Sequence, residues 1–342
     1  MTAQSKMRAE VLEIPAAVDR LLTRGTTDIA AAAQAIRTRD PAFAVTVARG
    51  SSDHACSYLK YACELLTGRP VASLGPSIAS IYGARLRLEQ ALCISVSQSG
   101  KSPDIVAMAS AARRDGALSV SLTNDPGAPL GQAADFALDL HAGPELSVAA
   151  TKSFVTSIVA GLLLLADWQQ DSDLKAALYI LPKALERATA IDWPEVRAAV
   201  GPHASAFTLG RGPGWGIAAE AALKFKEVCQ IHAESYSSAE VLHGPVSIVD
   251  PGFPVLAFAA ADRAEGPIAE IADNIAGKGA AVFIMSEKAR AATRIDHVRT
   301  AHPLTDPLSL VTSFYAMIEA DATARGINPD TPRHLRKVTQ TV

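Results

Sequence analysis

Short, continuous apolar runs recur along the chain, each closed by a glycine or hydroxyl-rich turn and followed by a stretch of helical periodicity. Phe43-Ala-Val-Thr-Val-Ala-Arg49-Gly50 is the first, and Ala206-Phe-Thr-Leu-Gly-Arg211-Gly212 repeats its plan. Such runs read as strands buried on both faces, because a strand with one wet face would alternate apolar and polar residues. After the first run the pattern predicts a helix over 53–67, a strand over 91–96 leading into Ser97-Gln-Ser-Gly100, a helix over 103–115 and a strand over 118–122. After the second it predicts a helix from Gly214, a strand over 254–259, a helix over 267–276 and a strand over 280–285. Strands alternating with helices at this spacing make parallel sheets with helices on both faces. The fold class is therefore α/β, with two similar open sheets in tandem.

Val11, Ile14, Val18, Leu21 and Leu22 recur at helical spacing, so residues 1–35 are expected to form an amphipathic leading helix packed on the body. Boundaries fall near 40, 190 and 325. They divide the chain into a helical segment (1–39), a first α/β domain (40–190), a second (191–325) and a tail (326–342), with Pro194 and the charged helix before it marking the join. The tail is polar, and polar tails ordinarily fray.

Composition narrows the function classes. The chain has 342 residues, 49% hydrophobic and 20% charged, which suits two globular domains and excludes disorder. A net charge of −3 with scattered Lys and Arg leaves no footprint for a nucleic-acid backbone, so any anionic ligand must be held locally. Cys56, Cys63, Cys93 and Cys229 lack metal-ligand spacing and lie in apolar or helical stretches, where thiols behave as reduced core residues. The first 13 residues lack the apolar core of a signal peptide, and the greasy run 154–168 is shorter than the roughly 20 residues of a bilayer span. A cytoplasmic protein without membrane or nucleic-acid partners is expected.

Ligands of open parallel sheets bind beyond the carboxyl ends of the strands, where helix N-terminal amides favour anions. Ser97-Gln98-Ser99-Gly100-Lys101-Ser102-Pro103 sits at such an end. Ser97, Gln98, Ser99 and Ser102 can donate to phosphate oxygens, Gly100 permits close backbone approach, and Pro103 suits a first helical turn. A serine-rich cap and turn would have the same composition. Gly50-Ser51-Ser52-Asp53 is either an N-cap or a wall of the same pocket. The corresponding turns of the second half, Gly212-Pro-Gly-Trp215 and Ala259-Ala-Ala-Asp262, lack hydroxyls, so only the first domain is expected to hold phosphate.

Glu220, Lys224 and Glu227 lie at i, i+4 and i+7 and share one helical face, whereas Lys226 points elsewhere. That face is either an acid/base apparatus or a solvated surface of helix salt bridges. His243, before Gly244-Pro245, is a loop histidine with or without a task. No cluster has metal-ligand spacing, and neither metal nor other cofactor is expected.

Several motifs occur together and in order: Arg49-Gly-Ser-Ser52, Ser97-Gln-Ser-Gly100, Ala149-Ala-Thr-Lys152, Gly210-Arg-Gly212, Ala222-Leu-Lys-Phe-Lys-Glu227, Ile231-His-Ala-Glu234, His243-Gly-Pro245 and Pro332-Arg-His-Leu-Arg-Lys337. Together they closely resemble the isomerase half of glucosamine-6-phosphate synthase, a member of the SIS (sugar isomerase) family. The resemblance covers nearly the whole chain and implies tandem flavodoxin-like SIS domains acting on a hexose phosphate or amino-sugar phosphate. By similarity, Ser97, Gln98, Ser99 and Ser102 hold phosphate, while Ser52 and the loop of Val148 and Ala150 line the sugar. Glu227 resembles the base that moves a proton between C1 and C2, and Glu220 and Lys224 match positions supporting the open-chain sugar. His243 resembles the ring-opening residue that the family donates from a neighbouring subunit, implying a homodimer. Lys337 matches a tail lysine that reaches over the sugar, which would give the polar tail a reason to be ordered.

The sequence departs from the synthase pattern at Ala150, where a serine is usual, and at Arg336, where a small residue precedes the lysine. Only about 40 residues precede the first strand, so no glutaminase domain is expected, and ammonia release becomes the useful direction. Residues 49–54, 97–104 and 337–342 look like the SIS-type glucosamine-6-phosphate deaminases. Alternatives are a galactosamine-6-phosphate deaminase, a fructosamine-6-phosphate deglycase or a glutaminase-less aminotransferase-type isomerase. A non-catalytic sugar-phosphate sensor would need the serines but not Glu227, His243 and Lys337.

Overall fold

A strand buried on both faces has only its neighbours to satisfy its amides, so the apolar runs pair with one another. The computed structural model describes residues 4–337. By contact the described chain divides into two units. The first-sheet unit comprises Ile14–Glu145, Lys152–Tyr179 and residues 336–337, and the second-sheet unit comprises residues 4–13, Leu146–Thr151 and Ile180–Leu335.

The elements up to the end of the first sheet are α1 (Lys6–Arg24), α2 (Thr26–Arg39), β1 (Phe43–Val47), α3 (Ser51–Thr67), β2 (Val71–Ser73), α4 (Ser77–Ser80), β3 (Ala91–Ser97), α5 (Pro103–Arg114), β4 (Leu118–Thr123), α6 (Pro129–Ala133) and β5 (Phe136–Asp139). Two long helices follow, α7 (Lys152–Gln169) and α8 (Ser172–Thr189). The five strands are parallel in the order β2-β1-β3-β4-β5, the flavodoxin-like order, with its reversal between β1 and β3. Val45, Val47 and Cys93 of the sheet pack with Ile105 and Met108 of α5 in the core.

The second-sheet unit continues with α9 (Pro194–Val200), β6 (Ser205–Gly210), α10 (Pro213–Cys229), β7 (His232–Ser237), β8 (Pro254–Ala257), α11 (Glu265–Ala276), β9 (Ala281–Ile284), β10 (Thr293–Arg294) and α12 (Asp306–Ala324). Its order, β10-β9-β8-β6-β7, is the same topology read from the other edge, and the reversal lies between β6 and β8. Phe207, Leu209, Val255 and Ile284 pack here with Ile268 and Ile275 of α11.

The expected tandem α/β architecture is present, with local differences. The leading segment is two helices broken at Gly25 rather than one. His232–Ser237 is a strand although its residues are mostly polar, because an edge position leaves much of it partly exposed. The run 154–168 is the buried body of α7, and the described residues contain no helix long and apolar enough to cross a membrane. All four cysteines are buried free thiols.

Both repeats turn from first strand to first helix in the same way. Gly50 has φ +56° and ψ −133°, and Gly212 has φ +57° and ψ −135°, a conformation that L side chains rarely adopt. At the second turn the fit is tighter still, since a Cβ on Gly210 would lie 2.3 Å from the carbonyl oxygen of Gly214. Gly210→Ala must therefore displace the backbone that starts α10. It is expected to lower stability by about 1–3 kcal/mol, read as a lower urea midpoint at unchanged m value. A midpoint equal to wild type would refute this close fit.

Candidate active site

The reversal of strand order in the first sheet sets β1 beside β3, and the loops leaving both carry candidate residues. The loop after β3 turns through Gly100 at φ +63°, where a Cβ would lie 2.9 Å from the Ala128 Cβ and 3.0 Å from the Thr123 Oγ1. Ser97 Oγ accepts the Gly100 amide at 3.2 Å, and Ser99 Oγ accepts that of Lys101 at 3.3 Å. Each hydroxyl used as an acceptor still has its proton to donate to an anion. Ser102 occupies the N-cap of α5 but makes no capping hydrogen bond with its side chain, so this serine is not there as a helix cap. Gln98 is half-buried, and its carbonyl accepts the Asn124 amide. Ser52 lies half-buried in the first turn of α3, after Gly50.

Sequence reasoning missed the brace that joins these loops. Asp104 is completely buried in the first turn of α5, and its Oδ2 accepts both Nε and Nη2 of Arg49, each at 3.0 Å. Arg49 follows β1, so this fork ties the β1 turn to the start of α5 beside the serine loop. Its signal was present in the Arg49-Gly-Ser-Ser52 motif, but nothing local identifies a partner 55 residues away.

In the second-sheet unit, α10 packs against α12, and this decides the character of the Glu220–Lys224–Glu227 face. Lys224 Nζ lies 3.0 Å from Glu220 Oε1 and 2.6 Å from Glu227 Oε2. Glu220 and Lys224 are 0% exposed, while Glu227 is 19% exposed, so Glu227 alone of the three is open to a ligand. The face is a buried ion cluster rather than a solvated row of salt bridges. Tyr315 of α12, not anticipated, donates its hydroxyl to Glu220 Oε1 at 3.0 Å. Burial alone would push the Lys224 ammonium towards neutrality, but Glu220 and Glu227 outweigh it and hold its pKa above the ordinary lysine value. Lys226 points away, to the Ala233 carbonyl.

His243 is exposed on a loop between two short 3₁₀ turns, with Leu242 and Ile248 also exposed nearby in sequence. Val148 and Ala150 are half-buried, and the Val148 amide donates to the Asp330 carbonyl at 3.3 Å. In the first-sheet unit, Lys337 Nζ donates to Glu145 Oε2 at 3.2 Å. The tail beyond Lys337 lies outside the described residues.

The turn after β8 corresponds to the serine loop but is built differently. The Ala261 amide donates to Asp306 Oδ2 at 2.8 Å, and that fully buried carboxylate also accepts Arg299 Nη1 at 2.7 Å and the Thr300 amide at 2.9 Å. A side-chain anion already occupies this turn.

Comparison with known proteins gives concordant results. Residues 42–166 match the SIS domain. A glutamine–fructose-6-phosphate aminotransferase (isomerizing) of Symbiobacterium thermophilum is 36% identical over 85% of this chain and 50% of its own length. The chain spans about half the length of the curated relatives it matches. A solved structure from Silicibacter pomeroyi DSS-3, assigned as a phosphosugar isomerase, is 64% identical with a TM-score of 0.93, covering 96% of this chain and 100% of that one. A glucosamine-6-phosphate deaminase of Thermotoga maritima shares the fold, with TM-score 0.79 at 18% identity over 98% of this chain and 100% of that one.

The ion cluster gives a stability test. A raised folded pKa means that Lys224 contributes fully below its unfolded value of about 10.4 and loses the contribution as pH rises through the folded value. Lys224→Met strands Glu220 without its cation and is expected to cost about 3–5 kcal/mol at pH 7 in urea unfolding, with the deficit narrowing at strongly alkaline pH. Wild-type stability of this variant at pH 7 would overturn the assignment.

Proposed function

The chain belongs to the SIS family of phosphosugar isomerases, and from that premise we propose that this enzyme is a glucosamine-6-phosphate deaminase. It converts an amino-aldose phosphate and water into fructose 6-phosphate and ammonia. The observation that carries the reading is the α10 cluster, in which two carboxylates flank one buried ammonium and only Glu227 is accessible. Two carboxylates against one lysine leave a formal charge of −1, the complement of an ammonium at C2 of the sugar.

In this reading Ser97, Gln98, Ser99 and Ser102 donate to the phosphate, and Ser52, Val148 and Ala150 border the sugar. His243 moves the protons needed to open the ring, a role suited to an imidazole near neutral pH. Its exposed loop, with Leu242 and Ile248, is supplied to the active site by a second copy of the chain. Glu227 removes the C2 proton to give an enolamine and returns a proton to C1, leaving the fructose imine. Water adds at C2 and ammonia departs. Glu220 and Lys224 hold Glu227 in place, and Lys337 contacts the open-chain sugar.

Purified protein is incubated with glucosamine 6-phosphate, and ammonia and fructose 6-phosphate are measured separately. Equal amounts of both are expected, and failure to form either sinks the deaminase reading. Galactosamine and fructosamine phosphates run in parallel identify a relative with a different sugar preference. Glu227→Gln should lower kcat by at least about 10²-fold while retaining phosphate-ester binding, and unimpaired turnover would remove Glu227 from the proton path.

Subunit sharing has its own test. Glu227→Gln and His243→Ala proteins, each inactive alone, should regain about a quarter of wild-type activity when unfolded and refolded together, because half the dimers are mixed and each carries one intact site. No recovery would place His243 in the site of its own chain.

A further inference from the structure

Glu145 has a carboxylate with no exposed surface, and none of the roles above uses it. Three contacts converge on it within the first-sheet unit. Its Oε1 accepts the Ser153 amide at 3.0 Å, its Oε2 accepts the Ser153 hydroxyl at 2.6 Å, and the same Oε2 accepts Lys337 Nζ at 3.2 Å. The Ser153 contacts are what a carboxylate needs to sit at the start of the 18-residue α7. A helix cap does not require a lysine from the tail, 192 residues along the chain.

We propose that Glu145 is the positioning residue for Lys337, fixing where the tail ammonium is presented to the sugar. The proposal rests on the reading of Lys337 as a substrate contact. A free lysine side chain samples many rotamers, and localising it costs conformational entropy. Pairing with an immobile buried carboxylate meets that cost before substrate arrives, so the binding step need not. Lys337 remains 26% exposed, so the pairing does not seal it away. The tail is held again a few residues earlier, in the second-sheet unit. There the Asp330 carboxylate accepts the amides of Lys6 and Met7, each at 2.8 Å, and its carbonyl accepts Val148. Between Asp330 and Lys337 the tail is thus anchored at both ends.

Glu145→Gln keeps an acceptor for Ser153 and removes the charge that holds Lys337. Ammonia release from glucosamine 6-phosphate is measured for wild type, Glu145→Gln, Lys337→Met and the double variant, and trypsin cleavage after Arg336 is timed for each. Glu145→Gln should lower kcat about tenfold with KM changed less than about threefold, and should cost nothing further in the Lys337→Met background. Both single variants should be cut about fivefold faster than wild type. An unchanged kcat, or the same proportional loss in both backgrounds, overturns the proposal. If wild type releases no ammonia, the deaminase reading falls and cleavage decides the positioning role by itself. Should Glu145→Gln not fold, Lys337→Met tests the pair from its other end, and a tail still protected in that variant refutes it.

Discussion

A lysine with no exposed surface is tolerable only if its charge is met where it lies, and Lys224 is met on two sides. The helical spacing i, i+4, i+7 delivers both carboxylates from one element, so the cluster needs no loop to be assembled. Everything around it follows from keeping this arrangement dry on one side and open on the other. α12 packs on α10 and brings Tyr315 to Glu220, Gly210 lets α10 begin hard against β6, and Glu227 is left at the margin with partial exposure. In the role proposed for Glu227, a proton-transfer group fixed by a buried cation loses little freedom on binding a ligand, and such preorganisation is where much catalytic benefit arises.

The serine loop of the first sheet, proposed above to seat an anion, is shaped in a different way. It relies on a positive-φ glycine, on hydroxyls whose acceptor sides are already engaged by the loop's own amides, and on the Arg49–Asp104 fork that ties β1 to α5. In the proposed reading the backbone supplies the shape of the loop and the side-chain donors its affinity.

Much of this was legible in the chain because its signals are local. The interior strands β1, β3, β6 and β8 are runs of apolar residues, and the serine loop declares itself by composition and position. The shared face of Glu220, Lys224 and Glu227 follows from spacing alone. Its burial does not, since that depends on α12, whose Tyr315 lies 95 residues away. Asp104 and Glu145 escaped notice for the same reason, because a buried carboxylate acquires its meaning from a distant cation. β7 was hidden by its edge position, where polar residues are tolerated and the alternation of a strand is blurred.

Asp306 gives the second repeat a further property. Its carboxylate sits on the Ala261 amide as a permanently tethered occupant, clamped by Arg299. A ligand joined to the chain is never diluted, so the order of that turn does not wait on an external anion. In the proposed function the serine loop takes a diffusible anion, which would couple its stability to that anion's concentration by mass action. Two copies of one topology would thus answer differently to scarcity of that anion: one turn carries its own carboxylate, the other in this reading borrows a phosphate.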